Sequence, residues 1–446
     1  MSTRALRNAL IFTPTGRIEG DLLIEDGRIQ EIGALTAPAD EDIDLNGLWL
    51  WPGAIDAHVH FRDPGLTHKE DFLTGSQAAV SGGVTTVFDM PNTRPSTTTV
   101  DRLNEKRALI AEKTLCNFGL FFGANPDNLD EILATENIPA LKIFMADSTG
   151  DLLVDQPEDL ERIFAAYEGR ISVHAESQVR MDRRREEFAH RDDPAVHSVI
   201  RDATTAAEGV DLATSLASRH GRRLHILHLS TREELQALRA AREALPDFSQ
   251  ARFTAEVCPH HLFLDVSDYE RWGTRVQMNP PLRSREDRDA MWTALSSGEL
   301  QIVATDHAPH GIDEKARPYR QAPSGVPGVE TMVPLMLDAA LRGFCEVDDV
   351  LRWLTSGPAS IYDVVDRGTI MPGYHADLVA IDPHLSRTID DAHIHSRCGW
   401  SPYAGKTLRG WPRWTFVNGV PVYRRDDDGP GEFIAEAVGR EVEFRA

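Results

Sequence analysis

Apolar residues follow two rhythms along the chain. Near its start they form short runs at 9–12, 21–24 and 28–32, with Asp26-Gly27 between the last two. An Asp-Gly pair between such runs marks a tight hairpin, because both residues accept the left-handed backbone its turn requires. Runs at 376–381 and 415–423 repeat this pattern, so the two ends are expected to pair into one small β domain covering 1–53 and 369–446. In between, from 54 to 368, eight apolar runs alternate with helix-like stretches: 54–61, 85–90, 117–122, 140–145, 171–176, 224–229, 253–257 and 301–306. Helices are expected over 73–81, 178–189, 206–218 and 233–244, and polar surface loops over 30–45 and 425–432. Strands buried on both faces and separated by helices belong to an α/β chain with a parallel sheet. Eight such units predict a (β/α)8 TIM-type barrel carrying a small β-sandwich built from both termini.

Composition narrows the partners. The 446 residues hold 47 Lys plus Arg against 70 Asp plus Glu, a formal net charge of −23. That field repels nucleic-acid phosphates and anionic membrane surfaces. No run approaches the roughly 18 apolar residues a membrane span needs, and the start, Met1 to Arg7, has no apolar signal core. A cytoplasmic protein acting on a small molecule is expected, with homo-oligomerisation left open. Cys116, Cys258, Cys345 and Cys398 are scattered without a CxxC pair, which argues against a disulfide framework or a thiolate zinc cluster. Lysine is scarce: Lys69, Lys106, Lys113, Lys142, Lys315 and Lys406 are the whole set.

Against that background the polar residues inside apolar runs stand out. His58 and His60 are two apart on one strand, so both side chains point to the same face. Two buried imidazoles side by side call for a reason, and a divalent metal bound by neutral ring nitrogens supplies one. Lys142, His174, His228 and Asp306 occupy similar ends of later runs, and the C-terminal ends of barrel strands meet at one mouth. His225 and His307 sit at odd offsets from His228 and Asp306 and are expected to face away. His260 and His261 lie past the end of their strand and are expected to be structural, with His261 able to support the site. Histidines and a carboxylate without thiolates suit Zn²⁺, with Mn²⁺, Co²⁺ or Fe²⁺ as alternatives. An ammonium cannot ligate a cation, so Lys142 is either modified or ion-paired with Asp306 or Asp89.

The HxH pair, the lysine, two later histidines and a final Asp-His resemble the amidohydrolase superfamily, and the resemblance spans nearly the whole chain. Within it, residues 56–65 (Asp-Ala-His-Val-His-Phe-Arg-Asp-Pro-Gly), 90–93 (Met-Pro-Asn-Thr), 278–283 (Met-Asn-Pro-Pro-Leu-Arg) and 305–310 (Thr-Asp-His-Ala-Pro-His) are similar to the dihydroorotase family. Residues 141–145 (Leu-Lys-Ile-Phe-Met) look closer to the corresponding strand of hydantoinases and allantoinases. The resemblance implies two Zn²⁺ ions, one on His58, His60 and Asp306 and the other on His174 and His228, bridged by a carbamylated Lys142. It implies reversible closure of N-carbamoyl-L-aspartate to L-dihydroorotate in pyrimidine (UMP) biosynthesis, with Asp306 moving the proton between the attacking oxygen and the ring nitrogen.

A carboxylated substrate needs fixed donors. Arg62 offers a bidentate fork that lysine cannot reproduce, and His60, Asn92, Asn279 and His310 add hydrogen-bonding groups; turn or cap chemistry is the competing role for both asparagines and His310. By resemblance, Ser324 and Gly325 contribute from a Gly- and Pro-rich loop over the mouth. The competing functions are a related cyclic amidohydrolase, allantoinase or dihydropyrimidinase, and a noncatalytic scaffold for aspartate transcarbamoylase; the complete ligand set argues against the scaffold.

Overall fold

The computed structural model describes residues 3–36, 38–147, 152–246, 252–426 and 429–445. Its centre is a ring of parallel strands: β1 (Ala54–Val59), β2 (Val84–Asp89), β3 (Asn117–Leu120, continued by Phe122–Gly123), β4 (Leu141–Phe144), β5 (Arg170–His174), β6 (Arg223–Ile226), β7 (Phe253–Val257) and β8 (Ile302–Val303). Consecutive strands pair in parallel from β1 to β3 and from the second half of β3 to β8. The ring closes where Val59 pairs with His307 and the His60 amide donates to the His307 carbonyl at 2.7 Å. Asp56 adds a side-chain stitch, its Oδ1 accepting from the Thr305 amide at 3.0 Å. Every residue of β1, β2, β4, β5 and β7 is buried, as expected for a sheet covered by helices on its outer face.

The helices begin where the sequence offers caps. Asp202 opens the helix Ala203–His220 by accepting from the Thr205 amide at 2.9 Å, and Gly221 ends it in the left-handed conformation. A capping box between Thr231 and Glu234 opens Arg232–Glu243. Apolar side chains from the strands and these helices, among them Leu141, Ile171, Val210, Leu216, Leu224 and Leu238, form one continuous core.

Both chain ends build the second unit. Strand Trp49–Pro52 lies between Thr3–Thr13, to which it is parallel, and Leu378–Thr388, to which it is antiparallel. Gly16–Glu25 and Arg28–Gly33 extend one side through the expected Asp26-Gly27 hairpin, and Thr407–Val417 and Val420–Arg424 extend the other. Leu6, Ile11, Leu22, Leu50, Leu378 and Phe416 form its core. The chain is thus a (β/α)8 barrel with a terminal β-sandwich. The tail returns beneath the barrel: the Phe118 amide donates to the Arg440 carbonyl at 3.0 Å, and Val442 donates back to Phe118 at 2.8 Å.

Two expectations need correction. Segment 30–45 is not all loop, since Glu41–Asp44 pairs in parallel with Thr3–Thr13, and in segment 425–432 the last residue starts strand Glu432–Phe433, which pairs with Val420–Arg424. Glu-Asp-Ile-Asp and Glu-Phe carry too little apolar alternation to register as strands, although Ile43 is buried in the core of the terminal unit and Phe433 packs against the barrel core. Asp427 and Asp428 lie outside the described residues. The eighth run also forms only two residues of strand, because Asp306 turns the backbone at φ +48°.

Candidate active site

Three side chains at the barrel mouth stand on left-handed backbone: Arg62 (φ +64°), His228 (φ +40°) and Asp306 (φ +48°). Each follows the end of a strand, at β1, β6 and β8. Such conformations cost a non-glycine residue on the order of 1–3 kcal/mol and persist where the surroundings enforce them, often at functional sites.

His58 and His60 converge on Asp306. Their Nε2 atoms lie 3.2 and 2.8 Å from Asp306 Oδ1, and all three residues are buried. The opposite ring nitrogens are occupied, His58 Nδ1 by Glu256 Oε1 at 2.7 Å and His60 Nδ1 by Asn92 Oδ1 at 2.7 Å. This turns both Nε2 atoms toward the aspartate, and supporting groups of this kind orient the imidazoles of a metal site. Burial pushes the His60 imidazole down to about 4, so it stays neutral. Burial alone would raise the Asp306 carboxyl, but His58 and His60 hold it well below the ordinary carboxylate range.

His174 and His228 meet alongside, His174 Nδ1 standing 2.9 Å from His228 Nε2. His174 Nε2 donates to Glu176 Oε2 at 2.8 Å. Burial lowers both imidazoles below their ordinary value. Between facing neutral nitrogens at that distance there must be either one shared proton or a cation. The His58 ring lies 5.4 Å from that of His228, which links the two groups.

Lys142, on β4, has no hydrogen-bond partner for its buried Nζ among the described residues; it lies 4.5 Å over the Phe144 ring. The ion pair with Asp306 or Asp89 is not formed: Asp89 instead takes Lys106 and the Phe61 amide. Burial, opposed by Asp306 and Glu256, brings the Lys142 amine down to about 7. A buried amine brought down to about 7, beside imidazoles and an ionised aspartate, fits the donor set that a carbamate-bridged pair of divalent ions would use.

A cavity of about 510 Å³ is lined by Arg62, Lys69, Asn92, Arg94 and His310 among others. Arg62 is buried and, among the described residues, has no carboxylate partner; its Nε donates to the Pro309 carbonyl at 3.4 Å. Burial lowers its guanidinium to about 10, still cationic at neutral pH. His310 accepts at Nδ1 from Lys69 Nζ at 3.0 Å and donates from Nε2 to the Ser324 carbonyl at 3.0 Å. Gly325 is at φ +137°, and a Cβ there would meet the Ala308 carbonyl oxygen at 2.5 Å. Asn279 is held elsewhere, its Oδ1 accepting from His197 Nε2 at 2.8 Å.

Sequence reasoning passed over the supports. Glu256, a carboxylate inside the apolar run of β7, serves both His58 and His225, the latter at 3.1 Å. His225 therefore packs beneath the site, and His307 turns away to accept from the Gly328 amide at 3.1 Å. Lys315 buries its ammonium among the carbonyls of Gln277, Pro323 and Gly325 at 2.8, 2.9 and 2.9 Å. The scarcity of lysine that drew attention to Lys142 applied equally to Lys315.

Residues 49–422 match the model of the Amidohydrolase family. Over 443 residues the chain is 38% identical to the dihydroorotase of Halobacterium salinarum, covering 98% of this chain and 99% of that one. Identity is 35% to the dihydroorotase of Methanosarcina mazei (96% and 97% covered) and 33% to that of Listeria innocua (95% and 99%). Among solved structures, L-hydantoinase from Arthrobacter aurescens superposes with a TM-score of 0.92 at 28% identity, covering 99% of this chain and 100% of that one. Dihydropyrimidinase from Brevibacillus agri follows at 0.88 and 26%, with 100% of each chain covered. On the extent of these matches, the chain belongs to the amidohydrolase family, among its dihydroorotase relatives.

Proposed function

We propose that the protein is a dihydroorotase, interconverting N-carbamoyl-L-aspartate and L-dihydroorotate plus water in cytoplasmic pyrimidine synthesis. The observation that carries this reading is Arg62: a buried guanidinium that, among the described residues, has no carboxylate within ion-pair distance, near the His60–Asp306 cluster. A buried charge is costly unless it is paired, so the site is built for an anion, and a planar fork suits a carboxylate.

His58, His60 and Asp306 would hold one divalent ion and His174 and His228 a second, with Zn²⁺ favoured by the donor set and Lys142, carbamylated, between them. When bound, such ions lower the pKa of a water molecule toward about 7 and polarise a carbonyl. Arg62 grips the substrate carboxylate and fixes the ring's orientation. His310 stands beside it, its tautomer set by Lys69 and Ser324. Asn92 steadies His60 while lining the same cavity, and Ser324, with Gly325 after it, acts on the cavity through the bond its carbonyl accepts from His310. Asp306, ionised because its neighbours keep it so, accepts the proton of the attacking water at its carboxylate and delivers it to the departing ring nitrogen. In the biosynthetic direction the transfer runs in reverse.

The test is one assay on purified, Zn²⁺-loaded protein with metal quantification. Hydrolysis of dihydroorotate and its formation from carbamoyl aspartate are expected, with at least two ions per chain. Faster turnover of allantoin, hydantoin or dihydrouracil would move the protein to another branch of the family, and no turnover of any would leave the scaffold role.

A further inference from the structure

At the end of β7, outside the donor set described above, Cys258, His260 and His261 form a second buried cluster. Each offers a ligand atom within 4.8 Å of the other two, and they group separately from His58, His60 and Asp306. Cys258 precedes the short helix Pro259–Phe263, and the His261 amide donates to the Cys258 carbonyl at 2.9 Å. The ring centroids of His260 and His261 are 4.3 Å apart.

Two nitrogens here have no explanation within the protein. His260 Nε2 and His261 Nδ1 are buried without a hydrogen-bond partner among the described residues, while His261 Nε2 approaches the Pro280 carbonyl at 3.3 Å. An orphaned buried polar atom destabilises a fold, and here two lie beside a thiol in one turn of chain.

We propose that Cys258, His260 and His261 bind a third divalent ion of borderline softness, Zn²⁺ in chemical class, distinct from the centre at the barrel mouth. One sulfur and two nitrogens are ligands such an ion takes readily, and a tetrahedral ion keeps a fourth position for water. Binding displaces the Cys258 proton to solvent, and the ion satisfies both orphaned nitrogens. It would tie the end of β7 to the segment around Pro280, which carries Asn279.

The experiment uses full-length protein, stripped of metal and titrated with Co²⁺ alone. The wild-type chain should take up one equivalent more than Cys258→Ser and develop a thiolate-to-cobalt charge-transfer band in the near ultraviolet. Cys258→Ser should lack both the extra equivalent and the band while melting cooperatively. Equal stoichiometry, or no band in the wild type, overturns the proposal. A band lost without a change in stoichiometry also overturns it, since the thiolate would then belong to the mouth centre. If Cys258→Ser fails to fold, His260→Gln serves instead: loss of one equivalent supports the site and full stoichiometry refutes it. None of these readouts involves dihydroorotate, so they stand or fall apart from the proposed activity.

Discussion

Glu176 and Arg201 form an ion pair from which water is excluded, the Arg201 Nε lying 3.1 and 3.2 Å from the two carboxylate oxygens. Burial by itself would raise the Glu176 carboxyl, but Arg201 and His174 hold it well below the ordinary range. The pair thus fixes a permanent acceptor behind His174. Replacing Glu176 with Gln strands the Arg201 charge, and breaking a buried pair from one side costs about 3–5 kcal/mol. The variant should melt at lower temperature and bind metal roughly 10- to 100-fold more weakly. Glu176→Gln with Arg201→Met should recover much of the stability but not the metal affinity. Thermal melts and metal titration check both, and an unchanged affinity in Glu176→Gln would separate Glu176 from the site.

Lys142 yields a prediction in pH. Only the neutral amine reacts with CO₂, and a value near 7 rather than 10.5 makes it available at neutral pH. Reactivation of metal-free protein by Zn²⁺ and bicarbonate should therefore accelerate as pH rises, with its midpoint near 7. A midpoint near 10 would mean that the amine is solvated in the metal-free state. Lys142→Ala should lose metal and activity and regain part of both with short carboxylic acids.

Arg62 sets activity against stability. Arg62→Lys keeps the charge and loses the fork, so kcat/KM should fall by about 1.5–3 kcal/mol, roughly 10- to 100-fold, with metal content unchanged. Arg62→Met should abolish measurable turnover and yet raise the melting temperature, because an unpaired buried cation is removed. A lower melting temperature in Arg62→Met would mean that the guanidinium serves the fold.

Lys315 anchors the loop that carries Ser324. Lys315→Met strips the carbonyls of Pro323 and Gly325 of their donor, each at a cost of about 1–3 kcal/mol unless water reaches it, while that of Gln277 keeps the Gly325 amide at 2.9 Å. KM should rise more than kcat falls, with metal content intact. A pure loss of kcat would place the effect at the metal centre instead.

Glu256 governs acid stability. Burial pushes its carboxyl up, but His58 and His225 outweigh that and hold it at about 2, against 4.5 for an ordinary glutamate. A depressed carboxyl stabilises the fold fully above the unfolded value and loses that contribution as pH falls through the folded one. The wild-type chain should lose stability steeply between about 4.5 and 2, and Glu256→Gln should flatten that part of the profile in denaturant titrations.

The parts legible in the sequence were those whose signal is local. His58 and His60 were readable because a strand has period two, and the eight runs because buried parallel strands are apolar throughout. Glu41–Asp44 was not, since it offers a single apolar residue, Ile43, and the side chains that meet it across the ladder, Arg4 on Glu41 and Arg7 on Asp42, lie far back in the sequence. Lys142 announced itself by rarity, but Asp89 being claimed by Lys106 depends on how the next helix, Val100–Ala111, packs against its strand. The partners Glu176–Arg201 and His197–Asn279 come from segments 25 and 82 residues apart. One chain carries no record of such meetings, and the strained backbone of Arg62, His228 and Asp306 follows from ring closure.

The arrangement of the termini also dictates an order of events during synthesis. Trp49–Pro52 emerges from the ribosome early, yet one of its neighbours is Leu378–Thr388, and Phe118 waits for Arg440 and Val442. The nascent barrel therefore spends most of translation with an open sheet edge and an uncovered floor. Its sheet and floor close only once those later segments are available, and the interval before that is when a chaperone would have most to protect.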